Sequence, residues 1–143
     1  MQDTMKRARE ENPLIPSVEF KNCPIRVSLG VLGKKWTLLI LRNIAFLKID
    51  RFNQIRRSVH GLTSRVLIMR LRELQESGLI EPILLQDNPK LVRWALTEKG
   101  QDTIPILMSF ISFGAKWYSD IVFEDQRPRT VNELFPEIRT TPT

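Results

Sequence analysis

The chain has 143 residues, with a hydrophobic fraction of 42% and a charged fraction of 27%, which are ordinary values for one soluble globular domain. No apolar run approaches about 18 residues, and the amino terminus lacks the apolar block of a signal peptide. We therefore expect a cytoplasmic protein without membrane contact. A single cysteine and a single histidine exclude an internal disulfide and argue against a zinc site or a Cys/His catalytic pair. We expect no metal, no cofactor and no enzymatic activity.

The positive charge is unevenly distributed along the chain. The net charge is +6 and the sequence pI is about 9.9. Residues 119–143 form a polar tail with five acidic residues and three arginines, so the positive excess lies upstream of them. Such an excess attracts a nucleic-acid backbone or another anionic surface.

The amino-terminal third of the chain contains an arm and two predicted helices. Residues 1–22 are a polar arm with a possible short helix, bounded by Pro13 and Pro16. The run CPIRVSLGVL then predicts a helix, with Pro24 at the first position, where a missing N–H is tolerated. The next run, WTLLILRNIAFL, is apolar nearly all round and predicts the central buried helix of the domain.

Two short helices are predicted between Arg51 and Arg72, a stretch with six arginines and no acidic residue. The first has one apolar face, and the break at Gly61 suits a turn in the left-handed conformation. Thr63 then caps a second helix whose inward stripe is leucine, and Gly78 ends it. At 100° per residue, the outward side of the second helix consists of Ser64, Arg65, Ile68, Met69 and Arg72. A capped basic helix after a short helix and a turn is typical of a helix-turn-helix that faces DNA.

A β-hairpin is predicted after Gly78. Two runs rich in Ile, Leu and Val, residues 79–86 and 91–96, flank the turn-prone sequence Asp-Asn-Pro-Lys. Beside a basic helix-turn-helix, this hairpin would be a wing whose tip, with Lys90 and the nearby Arg93, reaches a phosphate or the minor groove. The alternative is a hairpin that only packs on the domain. We expect Trp94 to pack against the core.

One long helix is predicted over residues 97–118, capped by Thr97 and bent at Pro105. It is apolar on more than one side, with Phe110 and Phe113 extending the stripe, which favours a subunit interface. We expect Leu107, Ile111 and Trp117 to form the interface of a homodimer, because a palindromic DNA site requires a two-fold protein. The alternative is that the tail, with Leu134 and Phe135, folds back over this helix.

These motifs follow one another in an order that is typical of a known protein family. The segments CPIR, LGKKWTLLILR, RFNQIRRSVHGLTSRVL, RLRELQESGLI, PKLVRWALTEKG and FGAKW resemble, in sequence over residues 23–118, the HxlR family of winged-helix transcriptional regulators. The resemblance implies a dimeric DNA-binding protein whose terminal helices build the dimer. The sequence departs from the family in two places: NIAFLKID lacks the usual glycine and proline, and Ile68 and Met69 replace small polar residues. Apolar contact with thymine methyl groups would then replace hydrogen bonds.

The predicted fold is α+β and mostly α: an arm (1–22), a winged helix-turn-helix domain (23–118) with a two-stranded hairpin wing and flanking terminal dimerisation helices, and a tail (119–143). The predicted function is sequence-specific binding of duplex DNA by a homodimer that regulates transcription. The alternative is a winged-helix protein-interaction module. Any small-molecule effector stays unknown. The base-facing residues are the five outward residues above, and the predicted phosphate and wing contacts are Arg51, Arg56, Arg57, Lys90 and Arg93.

Two interpretations of Cys23 stay open. A lone cysteine at the start of a helix often only packs. As the residue before Pro24, however, Cys23 would cap the helix, where free backbone N–H groups favour a thiolate. Some members of the resembled family sense oxidants or electrophiles through a cysteine in this Cys-Pro context, which makes Cys23 a candidate sensor.

Overall fold

The computed structural model describes residues 12–137. The possible short helix of the arm falls mainly on residues 1–11, outside the described residues, and residues 12–22 form no helix or strand. Helix α1 (Pro24–Leu32) begins with Pro24 in its first turn and Cys23 at its cap, as predicted. Helix α2 (Thr37–Arg42) continues as a π-helix (Asn43–Leu47), and its residues Ile40 and Leu41 are completely buried. The prediction of a central buried helix is confirmed.

The helix-turn-helix is built as the sequence predicts. Helix α3 (Phe52–Ser58) buries Ile55, and the following turn has Gly61 at φ +87°, a conformation that favours glycine. Helix α4 (Ser64–Glu76) starts where the Thr63 hydroxyl accepts a hydrogen bond from the Val66 amide at 3.2 Å. The core-facing residues of α4 are Leu67, Leu71 and Leu74.

The hairpin is also confirmed. Strands β1 (Ile80–Gln86) and β2 (Leu91–Leu96) are antiparallel, with Ile80 opposite Leu96 and an irregularity between Leu84 and Gln86. Trp94 is partly buried against the core, as expected, and its amide donates to the Asp50 carbonyl at 2.8 Å. That bond fixes the wing beside the segment that precedes α3.

The predicted long helix is two helices, and the predicted bend at Pro105 was wrong. Thr97 caps helix α5 (Glu98–Gln101) as expected, but α5 ends before Thr103 and a second helix, α6, spans Ile104–Trp117. Pro105 lies in the first turn of α6, where its missing N–H costs no intrahelical hydrogen bond. The proline therefore begins a helix instead of bending one.

The core joins α2, the helix-turn-helix, the wing and α6. Its buried members include Ile40, Ile55, Leu67, Ile80 and Leu107. Beyond α6, two short helices, α7 (Ser119–Val122) and α8 (Val131–Leu134), fold back along it. Within residues 12–137 no helix is both long and apolar enough to cross a membrane, and no cluster of three His, Cys, Asp or Glu side chains could hold a metal ion.

Candidate nucleic-acid interface

The outward side of α4 presents a continuous exposed surface, which we call the recognition face. Ile68 and Met69 expose 48% and 45% of their surface, although both are apolar. The inward leucines fix the rotation of α4, and so they determine which residues point outward. The structure brings all five predicted base-facing residues together on this face: Ser64, Arg65, Ile68, Met69 and Arg72.

The three arginines of α4 have different surroundings. The Nε of Arg70 donates to the Lys35 carbonyl at 2.9 Å, and its Nη1 lies 3.3 Å from Glu73 Oε1. Arg70 therefore connects α4 to the loop before α2. Within residues 12–137, Arg65 and Arg72 make no hydrogen bond or ion pair. Their guanidinium groups are free to bind an external acceptor.

A second cationic surface lies between α3 and the wing, and we call it the wing groove. Arg51, Arg57 and Lys90 line this groove, whose volume is about 540 Å³. The Nε of Arg57 donates to the Asn53 carbonyl at 3.2 Å, which holds the side chain along α3 and leaves its Nη groups available. Arg56 is half-buried and does not line the groove. Three of the five predicted phosphate contacts thus share one site.

Arg93 makes an ion pair that was not predicted from the sequence. It stands within β2, opposite Ile83, and its Nη1 lies 3.8 Å from Asp50 Oδ2. Asp50 thus partly neutralises its charge, and Lys90 is the basic residue of the hairpin turn. Arg93 lies three residues beyond Lys90 and stays a predicted wing contact, but Asp50 competes for its guanidinium.

A partly buried polar network beneath the helix-turn-helix was missed from the sequence. Asn43 is completely buried, and its Nδ2 donates to Ser58 Oγ at 2.7 Å. Its Oδ1 accepts from Arg42 Nη2 at 2.9 Å. The signal was a single amide in a mostly apolar helix, where an unpaired polar group would be costly. The network connects the central helix to the end of α3.

The predicted dimer residues have three different environments. Leu107 is only 5% exposed and belongs to the core of its own chain, so it cannot serve as an intersubunit contact. Ile111 is half-buried, whereas Trp117 is 65% exposed beside the exposed rings of Phe110 and Phe113. The interface prediction is corrected accordingly: Leu107 is excluded because the core already uses it.

The tail covers one side of α6, as the alternative interpretation expected, and leaves the aromatic side open. Leu134 lines a cavity together with Leu107 and Ile111. Arg129 holds the tail in place, since its guanidinium pairs with Asp125 and its amide donates to the Ala115 carbonyl at 3.3 Å. The hydrogen bond from Arg129 lowers the pKa of Asp125 from 3.8 to about 2.

Cys23 occupies the N-cap position of α1 that the sequence predicts, and it is exposed. Its side chain makes no capping hydrogen bond. The apolar residues Ile25, Val27 and Leu29 of α1 are exposed nearby.

The fold and this surface define a winged helix-turn-helix transcriptional regulator. Residues 31–122 match the model of the HxlR-like helix-turn-helix family, more than half of the chain. The protein belongs to that family, as its sequence motifs indicated.

Relatives and solved structures agree with this assignment. The chain is 32% identical over 101 residues to the HTH-type transcriptional regulator YdeP of Bacillus subtilis, covering 71% of this chain and 78% of that one. It is 37% identical over 97 residues to an HTH-type regulator of Methanothermobacter thermautotrophicus, covering 68% and 73%. The structure superposes on the oxidised redox regulator HypR with a TM-score of 0.59 and 32% identity, covering 64% of this chain and 94% of that one. The reduced regulator YodB of B. subtilis gives a TM-score of 0.56 at 26% identity, covering 67% and 94%.

Proposed function

We propose that this transcriptional regulator is a homodimer that binds duplex DNA in a sequence-specific way. The observation that carries the proposal is the recognition face, where Arg65 and Arg72 have no partner within residues 12–137 and flank exposed Ile68 and Met69. Arginine donates two parallel hydrogen bonds to guanine, and apolar side chains contact the thymine methyl group. This set of residues is therefore suited to a major groove that contains both guanine and thymine.

The wing groove would supply the affinity that does not depend on sequence. Arg51, Arg57 and Lys90 line a site of cationic character beside the first helix of the motif. Contacts of this kind bind phosphates and fix the register of the protein on the duplex, but they do not read bases. Arg56 and Arg93 contribute less in this proposal, because Arg56 is half-buried and Arg93 is paired with Asp50.

The open aromatic side of α6 supports the proposed homodimer. Phe110, Phe113 and Trp117 are each about 60% exposed, and exposed apolar residues of α1 enlarge the surface. Apolar patches of this extent are uncommon on a monomer and usually mark an interface. A two-fold dimer would place two recognition faces on half-sites about one helical turn apart, or a multiple of it.

Two double variants test the DNA-binding proposal. Arg65→Ala/Arg72→Ala should reduce affinity for a selected duplex much more than affinity for random duplex, since base contacts carry specificity. Arg51→Ala/Arg57→Ala should reduce both affinities alike and make binding less dependent on salt. Equal loss of both affinities in the first variant would contradict the assignment of the recognition face.

A winged-helix protein-interaction module is the second candidate, and salt distinguishes it from the first. DNA binding releases counterions, so affinity for random duplex should fall steeply between about 50 and 200 mM salt. The absence of any binding to random duplex at 50 mM salt would favour the interaction module.

We also propose that Cys23 makes DNA binding sensitive to oxidants. The support is its exposure at the cap of α1, together with the likeness to HypR, a redox regulator whose oxidised and reduced forms are known. Since the chain has one cysteine, oxidised Cys23 would form a disulfide with its counterpart in the second subunit or with a small thiol. Treatment with a thiol oxidant should weaken DNA binding, and Cys23→Ser should abolish that response. If DNA binding did not change after complete modification of Cys23, the sensor proposal would be wrong and Cys23 would have only a structural role.

A further inference from the structure

A second cavity, separate from the wing groove, lies between α2, α6 and the tail. Its volume is about 500 Å³, and its wall is mostly apolar. That size falls within the range of small-molecule sites. Residues of the central helix, α6 and the tail form this wall. They include Leu39, Phe46, Phe110, Phe123 and Leu134. We call this space the tail-roofed cavity.

The roof lies beyond the family domain and is held by contacts within the tail. The family match ends at residue 122, so Phe123 and Leu134 lie outside it. The guanidinium of Arg129 lies 4.5 Å from the centre of the Phe123 ring and pairs with Asp125. The Thr130 hydroxyl accepts from the Glu133 amide at 3.2 Å and so caps the helix that carries Leu134.

Among the described residues that line the cavity, Arg42 is the one that is charged. Its Nε and Nη2 both donate to Asn43 Oδ1, at 3.2 and 2.9 Å. Within residues 12–137, its Nη1 has no partner. A cation with a free donor beside an apolar wall suits a ligand that has an anionic group on an apolar body, because a hydrogen bond between two charged groups is stronger than one between neutral groups.

We infer that the tail-roofed cavity binds a small apolar organic acid, whose carboxylate pairs with Arg42. The binding site would also be connected to the DNA-binding motif. Asn43, which accepts both hydrogen bonds from Arg42, donates to Ser58 Oγ at 2.7 Å at the end of α3. The central helix becomes a π-helix at Asn43, a distortion that is frequent at functional sites. A ligand that draws Arg42 away from Asn43 would loosen this connection and weaken DNA binding. Only this last step rests on the proposed function.

Ligand binding can be tested without DNA. Benzoate, 2-naphthoate and octanoate would be titrated into the full-length protein by calorimetry, each beside its uncharged amide. At least one carboxylate should saturate one site per chain and bind about tenfold tighter than its amide. Arg42→Gln should remove this preference, whereas Arg42→Lys should keep part of it. Absence of saturable binding by all three acids, or a preference that survives in Arg42→Gln, would overturn the inference.

Two glycines supply a matched pair of variants. Gly114 lines the cavity and Gly30 lies in α1. Apart from the neighbouring residues and the backbone of its own helix, an added Cβ at either position meets no atom of residues 12–137 within 4 Å. Gly114→Leu should fill the cavity and abolish binding of both acid and amide, whereas Gly30→Leu should not. Equal binding by Gly114→Leu and wild-type protein would place the ligand elsewhere and contradict the assignment.

Coupling to DNA is measured separately. The bound acid should lower duplex affinity several-fold, and by linkage the duplex should lower affinity for the acid by the same factor. Ser58→Ala should bind the acid but lose this mutual effect. If the acid binds and the wild-type protein never binds duplex, the ligand site stands and the proposed function fails. If both bind without mutual effect, the connection through Asn43 is wrong.

Discussion

Arg70 and Arg72 offer a direct comparison within one helix, since they lie two residues apart and differ in what they contact. Arg72 is exposed and, within residues 12–137, makes no hydrogen bond or ion pair, so Arg72→Ala should change the free energy of unfolding by less than about 0.5 kcal/mol. If Arg72 reads a base, its loss should cost about 1 to 3 kcal/mol of specific binding, about 5- to 150-fold in affinity. The preference for one base should also weaken at one position of the DNA site.

Arg70→Ala should show the opposite profile. It removes the bond to the Lys35 carbonyl and the pair with Glu73, so stability should fall by about 0.5 to 1.5 kcal/mol. The specificity ratio should stay unchanged. Urea denaturation gives the first quantity, and fluorescence anisotropy with selected and single-base-changed duplexes gives the second. If Arg72→Ala destabilised the fold while Arg70→Ala relaxed specificity, the orientation of α4 would be refuted.

Three further predictions concern the network, the dimer and the tail. Asn43→Ala removes a completely buried hydrogen-bonded amide, and should lower the free energy of unfolding by about 1 to 3 kcal/mol in urea denaturation. Phe113→Asp places a charge on the open aromatic side of α6 and should give monomers by light scattering at micromolar concentration. The pKa of Asp125 is about 2 instead of 3.8, so the contribution of its pair with Arg129 is complete above pH 3.8 and lost as the pH falls towards 2. At pH 3 part of this contribution should remain, so the Arg129 amide should exchange more slowly in wild type than in Asp125→Asn.

Controls for these variants come from exposed positions. Asn53→Ala, in which the lost amide is exposed, should change stability by less than about 0.5 kcal/mol. Leu84→Asp places a charge on the exposed wing and should leave the dimer intact. A wild-type monomer would contradict the dimer proposal. Equal exchange rates of the Arg129 amide in wild type and Asp125→Asn would contradict the role given to the pair.

The helix-turn-helix and wing could be predicted because their signals are local. Thr63 is a cap, Gly61 supplies a left-handed turn, and the leucine spacing of α4 determines its outward side. The ion pair of Arg93 and the burial of Leu107 could not be predicted in this way. Strand pairing placed Arg93 beside Asp50, and docking of α6 buried Leu107 in the core. Both outcomes depend on contacts between residues far apart in the sequence, which spacing alone does not determine.

The network around Asn43 was missed for a related reason. An apolar run predicts a buried helix, but it does not say which residue beyond the run will satisfy a buried amide. Ser58 does so across the interface between the central helix and α3.

The central claim is sequence-specific duplex binding, and the ratio of two dissociation constants tests it most directly. A duplex would be selected from a random pool with the full-length protein, and its dissociation constant compared with that of a scrambled duplex at the same physiological salt concentration. Specific regulators bind their sites about 10³-fold or more tighter than random DNA. We predict a ratio of at least that size, and a ratio near one would contradict the account.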